Sequence, residues 1–207
     1  VAGALLCGSL VAKDIAKDTL IVGTNAEYPP FEFVDENSKV TGFDMDLVAE
    51  LAKRAGVKYE ILNMSFDGLI PAIKSGKIDM IASGMSATPA RKKAIDFTNP
   101  YYKVENLYVK RKDDISLNSK ADLQGKRLAA QLGTIQELAI SDIKGAEVSA
   151  TENVFVAVMS LKNKKIDALC VDSSVGYEYL KKNDDLVAFF KESDGSEGFS
   201  IAFDKGK

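Results

Sequence analysis

The sequence predicts an α/β fold made of two similar units, each a mainly parallel sheet flanked by helices. Two observations carry this. Strand-like and helix-like segments alternate from Thr19 onward, and the alternation restarts near Lys126. A length of 207 residues suits one large or two small domains, with ample chain for a core.

The first unit reads as follows. "TLIVGTN" is apolar and β-branched, hence a strand. "GFDMDLVAELAKRAG" places apolar residues at helical spacing and closes on Gly56. "KYEILNM" is a strand. "SFDGLIPAIKSG" is a helix with Asp67 near its start and Gly76 past its end. "IDMIASGM" is a strand. This βαβαβ order predicts a mostly parallel sheet covered by helices on both faces.

In the second unit "KRLAAQLG" is a strand, and "TIQELAISDI" a helix opened by a capping box of Thr134 and Glu137. "AEVSAT" is a strand. "NVFVAVMSLKNKK" is a helix capped by Asn153. "IDALCVDSS" is a buried strand ending at Asp172, and "VGYEYLKKN" is a helix. The stretch "NLYVKRKDDISLNSKADLQG" reads as a connector. The units repeat in architecture and not in residue identity.

Composition narrows the function. The chain is 46% hydrophobic and 28% charged, with a net charge of −3 and lysines spread along it. No nucleic-acid surface is expected from that balance. It has no histidine, and its two cysteines, Cys7 and Cys170, are far apart. A zinc site or a histidine-based triad is therefore excluded, and no cofactor or metal is expected. "VAGALLCGSLVA", too short to span a bilayer, reads as residues 1–12 of a secretory signal lacking its basic start. Cys7 in "LLCGS" offers a site for a lipid anchor, the alternative being cleavage after Ala12. Beyond it Cys170 stands alone, so the mature protein holds no internal disulfide.

One motif carries chemistry. In "SGMSATPARKKAIDFTNPYY", Ser86 or Thr88 can cap a helix with Pro89 in its first turn. The N–H groups of Ser86, Ala87 and Thr88 then point forward, and Arg91 adds a planar fork suited to a carboxylate. Ligands in open α/β sheets sit beyond the carboxyl ends of strands. That rule selects "GTNAEYPPFEF", "SGMSATPAR", "QLGTIQE" and "VDSS". Two are helix starts suited to an anion, and Asp172 offers a carboxylate to a cation. A ligand with both a carboxylate and an ammonium satisfies the set.

The ordered series "VGTNAEYPPFEF", "GFDMDL", "FDGLIPAIKSGKIDM", "SGMSATPAR", "FTNPYY", "LGTIQE" and "KKIDALCVDS" resembles the periplasmic solute-binding proteins for polar amino acids that serve ABC importers. The resemblance runs from about Thr19 to the end. It implies a two-lobe periplasmic binding protein fold of type II, with the ligand in the interlobe cleft. Lobe I would comprise 13–102 plus 198–207, and lobe II 103–197, with "GFSIAF" returning to the first lobe. Family members continue with a helical tail past the point matching Lys207. The implied partners are a free L-amino acid with a polar or basic side chain and the importer's membrane subunits. The implied location is the periplasm or the outer face of the membrane, and the implied state a monomer.

Site roles follow from the same resemblance. Arg91 would pair with the ligand α-carboxylate, helped by Ser86. Ser83 and Gly84 would line the α-amino side with their backbone. Thr134 and Ile135 would close on the carboxylate from the second lobe, and Asp172 would accept the α-ammonium. Tyr28 would cover the ligand side chain and Phe66 form a second wall. Asn25 departs from members that bind basic amino acids or glutamine and carry Asp there; Asn brings a donor and an acceptor and no charge. Glu27 could supply a negative end but reads as a loop residue facing water. Gln131 could reach the pocket, and Phe31 reads as packing. Two rivals share the architecture: a receptor's extracellular sensing domain, and a dehydratase. A dehydratase needs a tuned acid over the reacting centre; only Asp172 and Glu27 offer one, and Asp172 is better explained as an ammonium partner.

Overall fold

The computed structural model describes residues 19–207; the predicted signal segment and Cys7 lie outside the described residues. In chain order the first lobe opens with β1 (Thr19–Thr24). Three short strands follow, β2 (Glu27–Tyr28), β3 (Glu32–Val34) and β4 (Val40–Thr41), which form a small antiparallel sheet of their own. Next come α1 (Phe43–Ala55), β5 (Lys58–Asn63), α2 (Leu69–Lys74), β6 (Met80–Ile81), α3 (Pro89–Lys92) and β7 (Ile95–Phe97). The second lobe holds β8 (Glu105–Arg111), β9 (Arg127–Gln131), α4 (Ile135–Ser141) and β10 (Glu147–Thr151). It continues with α5 (Val154–Lys162), β11 (Ala168–Asp172), α6 (Ser173–Lys181) and β12 (Leu186–Ser193). β13 (Ala202–Asp204) returns to the first lobe.

Each lobe is built on one five-stranded sheet, ordered β5-β1-β6-β13-β7 in the first and β10-β9-β11-β8-β12 in the second. The βαβ portions are parallel, as expected. β13 and β8 run antiparallel to their neighbours, so both sheets are mixed. β8 corrects the sequence reading: "NLYVKR", read above as part of a connector, lies in a strand between β11 and β12 with Asn106 to Lys110 buried. Its lysine and arginine hid it. Lys110 is buried only because its Nζ donates to the carbonyls of Asp114 and Leu117.

Local chemistry explains most element ends. α1 stops at Gly56, which takes the left-handed conformation (φ 68°), and carries Asp44 and Asp46 in its first turn. The expected helix at "SFDGLIPAIKSG" begins as a 3₁₀ turn, Phe66–Gly68, and becomes α2 only at Leu69. Thr134 caps α4 by accepting from Glu137 N at 3.2 Å. The reciprocal half of the capping box is shifted: Glu137 Oε2 accepts from Gly133 N and not from Thr134 N, which is committed to the Gln131 carbonyl.

The chain crosses between sheets twice, after β7 and after β12. At the crossing, Phe199 bridges to both Ser86 and Tyr102. Gly198 (φ 119°) sits so close to this contact that a Cβ would lie 2.3 Å from the Tyr102 carbonyl oxygen. A buried apolar cluster runs through the junction, joining Tyr28, Phe31 and Phe199 to Val104, Val154 and Val171 of the second lobe. Phe31 is thus a packing residue, edge-on to both Tyr102 and Phe199 with ring centroids 5.0 Å away.

Candidate functional site

A narrow cavity, partly open to solvent, lies where the two lobes meet. From the first lobe Asn25, Tyr28, Glu32, Phe66, Ser86 and Arg91 line it, with Gly84 between them. From the second come Gln131, Thr134, Ile135 and Gln136, and Phe199 closes it at the crossing.

Arg91 is held from three directions. Thr88 caps α3, its Oγ1 accepting from Arg91 N at 3.2 Å, so of the two cap candidates it is Thr88. Arg91 Nη1 donates to the Ser86 carbonyl at 2.9 Å, and Nη2 donates across the cleft to the Gly133 carbonyl at 3.0 Å. The guanidinium carbon stands 5.5 Å from the centroid of the Phe66 ring, so Phe66 orients the arginine as well as walling the cavity. Arg91 is half-buried, and that burial pulls its pKa down to about 10, so a facing anion would stabilise its charge.

The forward-pointing backbone of "SATPAR" is only partly available. Ala87 N donates to the Gly198 carbonyl, so the crossing strand takes one of the expected N–H groups. Ser86 Oγ lies 3.4 Å from Asp194 Oδ2. Gly84 faces the cavity with φ 46°, and a Cβ there would press on the Tyr28 ring at 3.2 Å. Ser83 stands one layer back: its Oγ accepts from Asn25 N at 2.9 Å and donates to Glu32 Oε1 at 3.0 Å.

Asn25 is fixed from both lobes. Its Nδ2 donates to the Met64 carbonyl at 3.0 Å, and its Oδ1 accepts from Gln131 Nε2 at 2.8 Å. Gln131, weakly expected at the site, is therefore a direct link across the cleft. Tyr102 and Ser174 make a second link, hydroxyl to hydroxyl at 2.8 Å. Gly133 (φ 77°) approaches so closely that a Cβ would sit 3.0 Å from that of Asp67.

Asp172 is wholly buried at the start of α6, where Oδ1 accepts from Ser174 N and Val175 N. Its Oδ2 has no partner, and burial lifts its pKa from 3.8 to about 7. It does not itself line the cavity; it adjoins Tyr28, whose hydroxyl is pushed well above its usual range by burial and then by Asp172. Glu27 is exposed, as its loop position suggested, with its pKa raised by partial burial and by Glu152 across the cleft. Among the described residues no group of three or more His, Cys, Asp or Glu could hold a metal ion.

Glu32, Gln136, Phe199 and Gly133 were not anticipated. Glu32 is the consequential one, since an acid between two phenylalanines in "PPFEF" reads as the solvent face of a strand. The reverse holds: Glu32 is 1% exposed.

Two adjoining mixed sheets, with a cavity between them lined by charged, amide and aromatic side chains, have the architecture of a two-lobe solute-binding protein. The family model for bacterial extracellular solute-binding proteins, family 3, matches residues 20–193, and the chain belongs to that family. It is 52% identical over 189 residues to a probable histidine-binding protein of Campylobacter jejuni, covering 91% of this chain and 73% of the relative. It is 38% identical to the arginine-binding extracellular protein ArtP of Bacillus subtilis, covering 96% and 80%. Among solved structures it matches the arginine-bound form of truncated ArgBP from T. maritima, at TM-score 0.86 and 41% identity over 90% of this chain and 88% of that one. These relatives are named as binding proteins, not enzymes.

Proposed function

We propose that the chain binds a free L-amino acid with a polar or basic side chain between its lobes and delivers it to an ABC-type importer, and that it is not an enzyme. The observation that carries this is Arg91: a half-buried guanidinium on the cavity wall, fixed by Ser86, Gly133 and Phe66. Arg91 takes the ligand α-carboxylate with Ser86, Thr134 and Ile135. Asp172 takes the α-ammonium, which requires Tyr28 to admit it. Tyr28 and Phe66 wall the side chain, and Asn25 with Gln131 meets its polar part. Lobe boundaries at 102/103 and 197/198 fit the two crossings between sheets. The family's extracellular setting and the named relatives support delivery to a membrane importer.

The test is a thermal-shift and calorimetric screen of the common L-amino acids. A ligand at 100 times its Kd stabilises by about 2.7 kcal/mol, enough to see. At least one amino acid is expected to bind with micromolar or better affinity, and its decarboxylated analogue to fail. No shift and no heat with any amino acid would overturn the proposal.

A further inference from the structure

Ser86 stands on the cavity wall, yet its hydroxyl already has a partner outside the cavity: Ser86 Oγ donates to Asp194 Oδ2 at 3.4 Å. Asp194 follows β12 on the second crossing between the lobes and does not itself line the cavity. Its main support is local. Oδ1 accepts from Ser196 N at 2.9 Å, and Oδ2 accepts from Ser196 Oγ at 2.7 Å. Ser196 Oγ accepts in turn from Gly198 N at 3.0 Å, and the Gly198 carbonyl accepts from Ala87 N at 3.0 Å. Phe199 bridges to Ser86, and Lys92 of α3 pairs with Glu197 at 2.6 Å. The crossing is thus laid along the segment that carries Ser86 and Arg91, with Asp194 behind the carboxylate wall.

A serine hydroxyl carries one proton, and a carboxylate only accepts. A ligand α-carboxylate and Asp194 therefore call on the same Ser86 proton. We propose that Asp194 is an affinity-setting positioning residue: it competes with the ligand's carboxylate for the Ser86 hydroxyl and so eases release of the amino acid from the closed lobes. This rests on the reading of the cavity as an amino-acid site. The exchange breaks no covalent bond; the hydroxyl rotates from Asp194 to the ligand and back. Asp194 is not stranded by it, because Oδ2 keeps the 2.7 Å bond from Ser196. At 3.4 Å the Ser86 bond is long against the ~2.7–2.8 Å usual between oxygens, so giving it up costs little and the effect is severalfold. The charge of Asp194 acts on both ends of the site. Burial lowers the Arg91 pKa while Tyr28 and Asp194 oppose that, and Asp194 adds to the rise that burial imposes on Asp172. A zwitterion presents opposite charges there, so these longer-range effects offset each other and the competition for the hydroxyl remains.

The experiment is calorimetry with stopped-flow kinetics on the whole chain and its variants, using the common L-amino acids and taking each that binds to full titration. Asp194→Asn keeps an acceptor for Ser196 N and turns the other position into a donor, which frees the Ser86 proton for the ligand. It should bind every such amino acid about three- to tenfold more tightly, through slower dissociation at an unchanged association rate. Ser196→Ala removes the 2.7 Å bond and leaves Asp194 Oδ2 to Ser86 alone, so it should weaken binding about two- to fivefold. A purely structural role for the crossing would move both variants in the same direction. On a Ser86→Ala background the gain from Asp194→Asn should vanish. An Asp194→Asn protein that melts normally and binds no more tightly would overturn the proposal, as would a gain undiminished by Ser86→Ala. If Asp194→Asn does not fold, Ser196→Ala decides: affinity equal to or above that of the unaltered protein overturns it. Each of these outcomes leaves the amino-acid reading standing, since the unaltered protein binds; binding of no amino acid by any of the proteins overturns both.

Discussion

On the first lobe's side the cavity is bordered by a guanidinium and a carboxyl, Arg91 and Glu32; on the second lobe's side by the amides of Gln131 and Gln136 and the hydroxyl of Thr134. Both lobes are five-stranded mixed sheets, so the difference lies not in architecture but in what the loops at the strand ends carry. Charges need support that takes several elements to build. Arg91 draws on α3, the Ser86 carbonyl and the Phe66 ring, and Glu32 on the Ser83 hydroxyl. The second lobe supplies neutral donors and acceptors that can meet and leave the first lobe without stranding a charge. That suits a surface which opens and closes. Asp172 is the exception, and it is held back from the cavity surface behind neutral groups.

The comparison breaks most readily at Arg91. Arg91→Ala is expected to weaken amino-acid binding at least tenfold, since removing one partner of a buried charge pair costs about 2–5 kcal/mol. Gln131→Ala, which removes the 2.8 Å bond to Asn25 Oδ1, is expected to weaken it only a fewfold, because a neutral bond contributes about 0.5–1.5 kcal/mol. Calorimetry on both variants decides. Comparable losses would show that the lobes share the recognition equally.

Asp172 sharpens the comparison through pH. Its folded pKa of about 7 lies above the ordinary 3.8, so between those values the folded chain holds a proton that the unfolded chain has released. Stability from this group is therefore full at the acidic end of the window and lost as pH rises toward 7. Glu32 and Asp44, both raised, act in the same direction. The ligand-free protein should melt several degrees higher near pH 5 than near pH 7.5. Asp172→Asn, which cannot ionise, should flatten part of that slope. An Asp172→Asn protein whose pH slope equals that of the unaltered protein would show that Asp172 takes up no proton in this window.

The ends and order of the elements were largely legible because they depend on local chemistry. Gly56, Thr134 and Asn153 terminate or cap helices as their residue types predict. The central strand β8 was not legible, since Lys110 and Arg111 conceal its burial; only the nearby carbonyls make that burial tolerable. At the site, the motif around Arg91 announced its own chemistry. Glu32 did not, because what holds it is tertiary: the chain after β6 brings Ser83 to it. A partner so distant in the chain leaves no complementary pattern in sequence. Gly133 was legible only as a turn glycine, which its φ of 77° requires; its close approach to Asp67 in the other lobe is tertiary and was silent.

The smallest expected effect concerns the link that carries no charge and faces solvent. Tyr102, on the crossing segment, meets Ser174 in the first turn of α6 at 2.8 Å, and both groups are accessible to water. Water competes for each hydroxyl, so the net contribution is at the low end of the ~0.5–1.5 kcal/mol typical of a hydrogen bond. The bond exists only when the lobes are together. Tyr102→Phe keeps the ring that stacks on Phe199 and removes the hydroxyl alone. It should therefore leave thermal stability within about 1 kcal/mol while shifting the lobes two- to fivefold toward open. Small-angle scattering would register a larger radius of gyration without ligand, returning to the unaltered value at saturation, and affinity should fall by no more than the same factor. If Tyr102→Phe weakened binding as severely as Arg91→Ala, closure rather than the charged groups of the first lobe would dominate recognition, and the division between the lobes drawn here would be wrong.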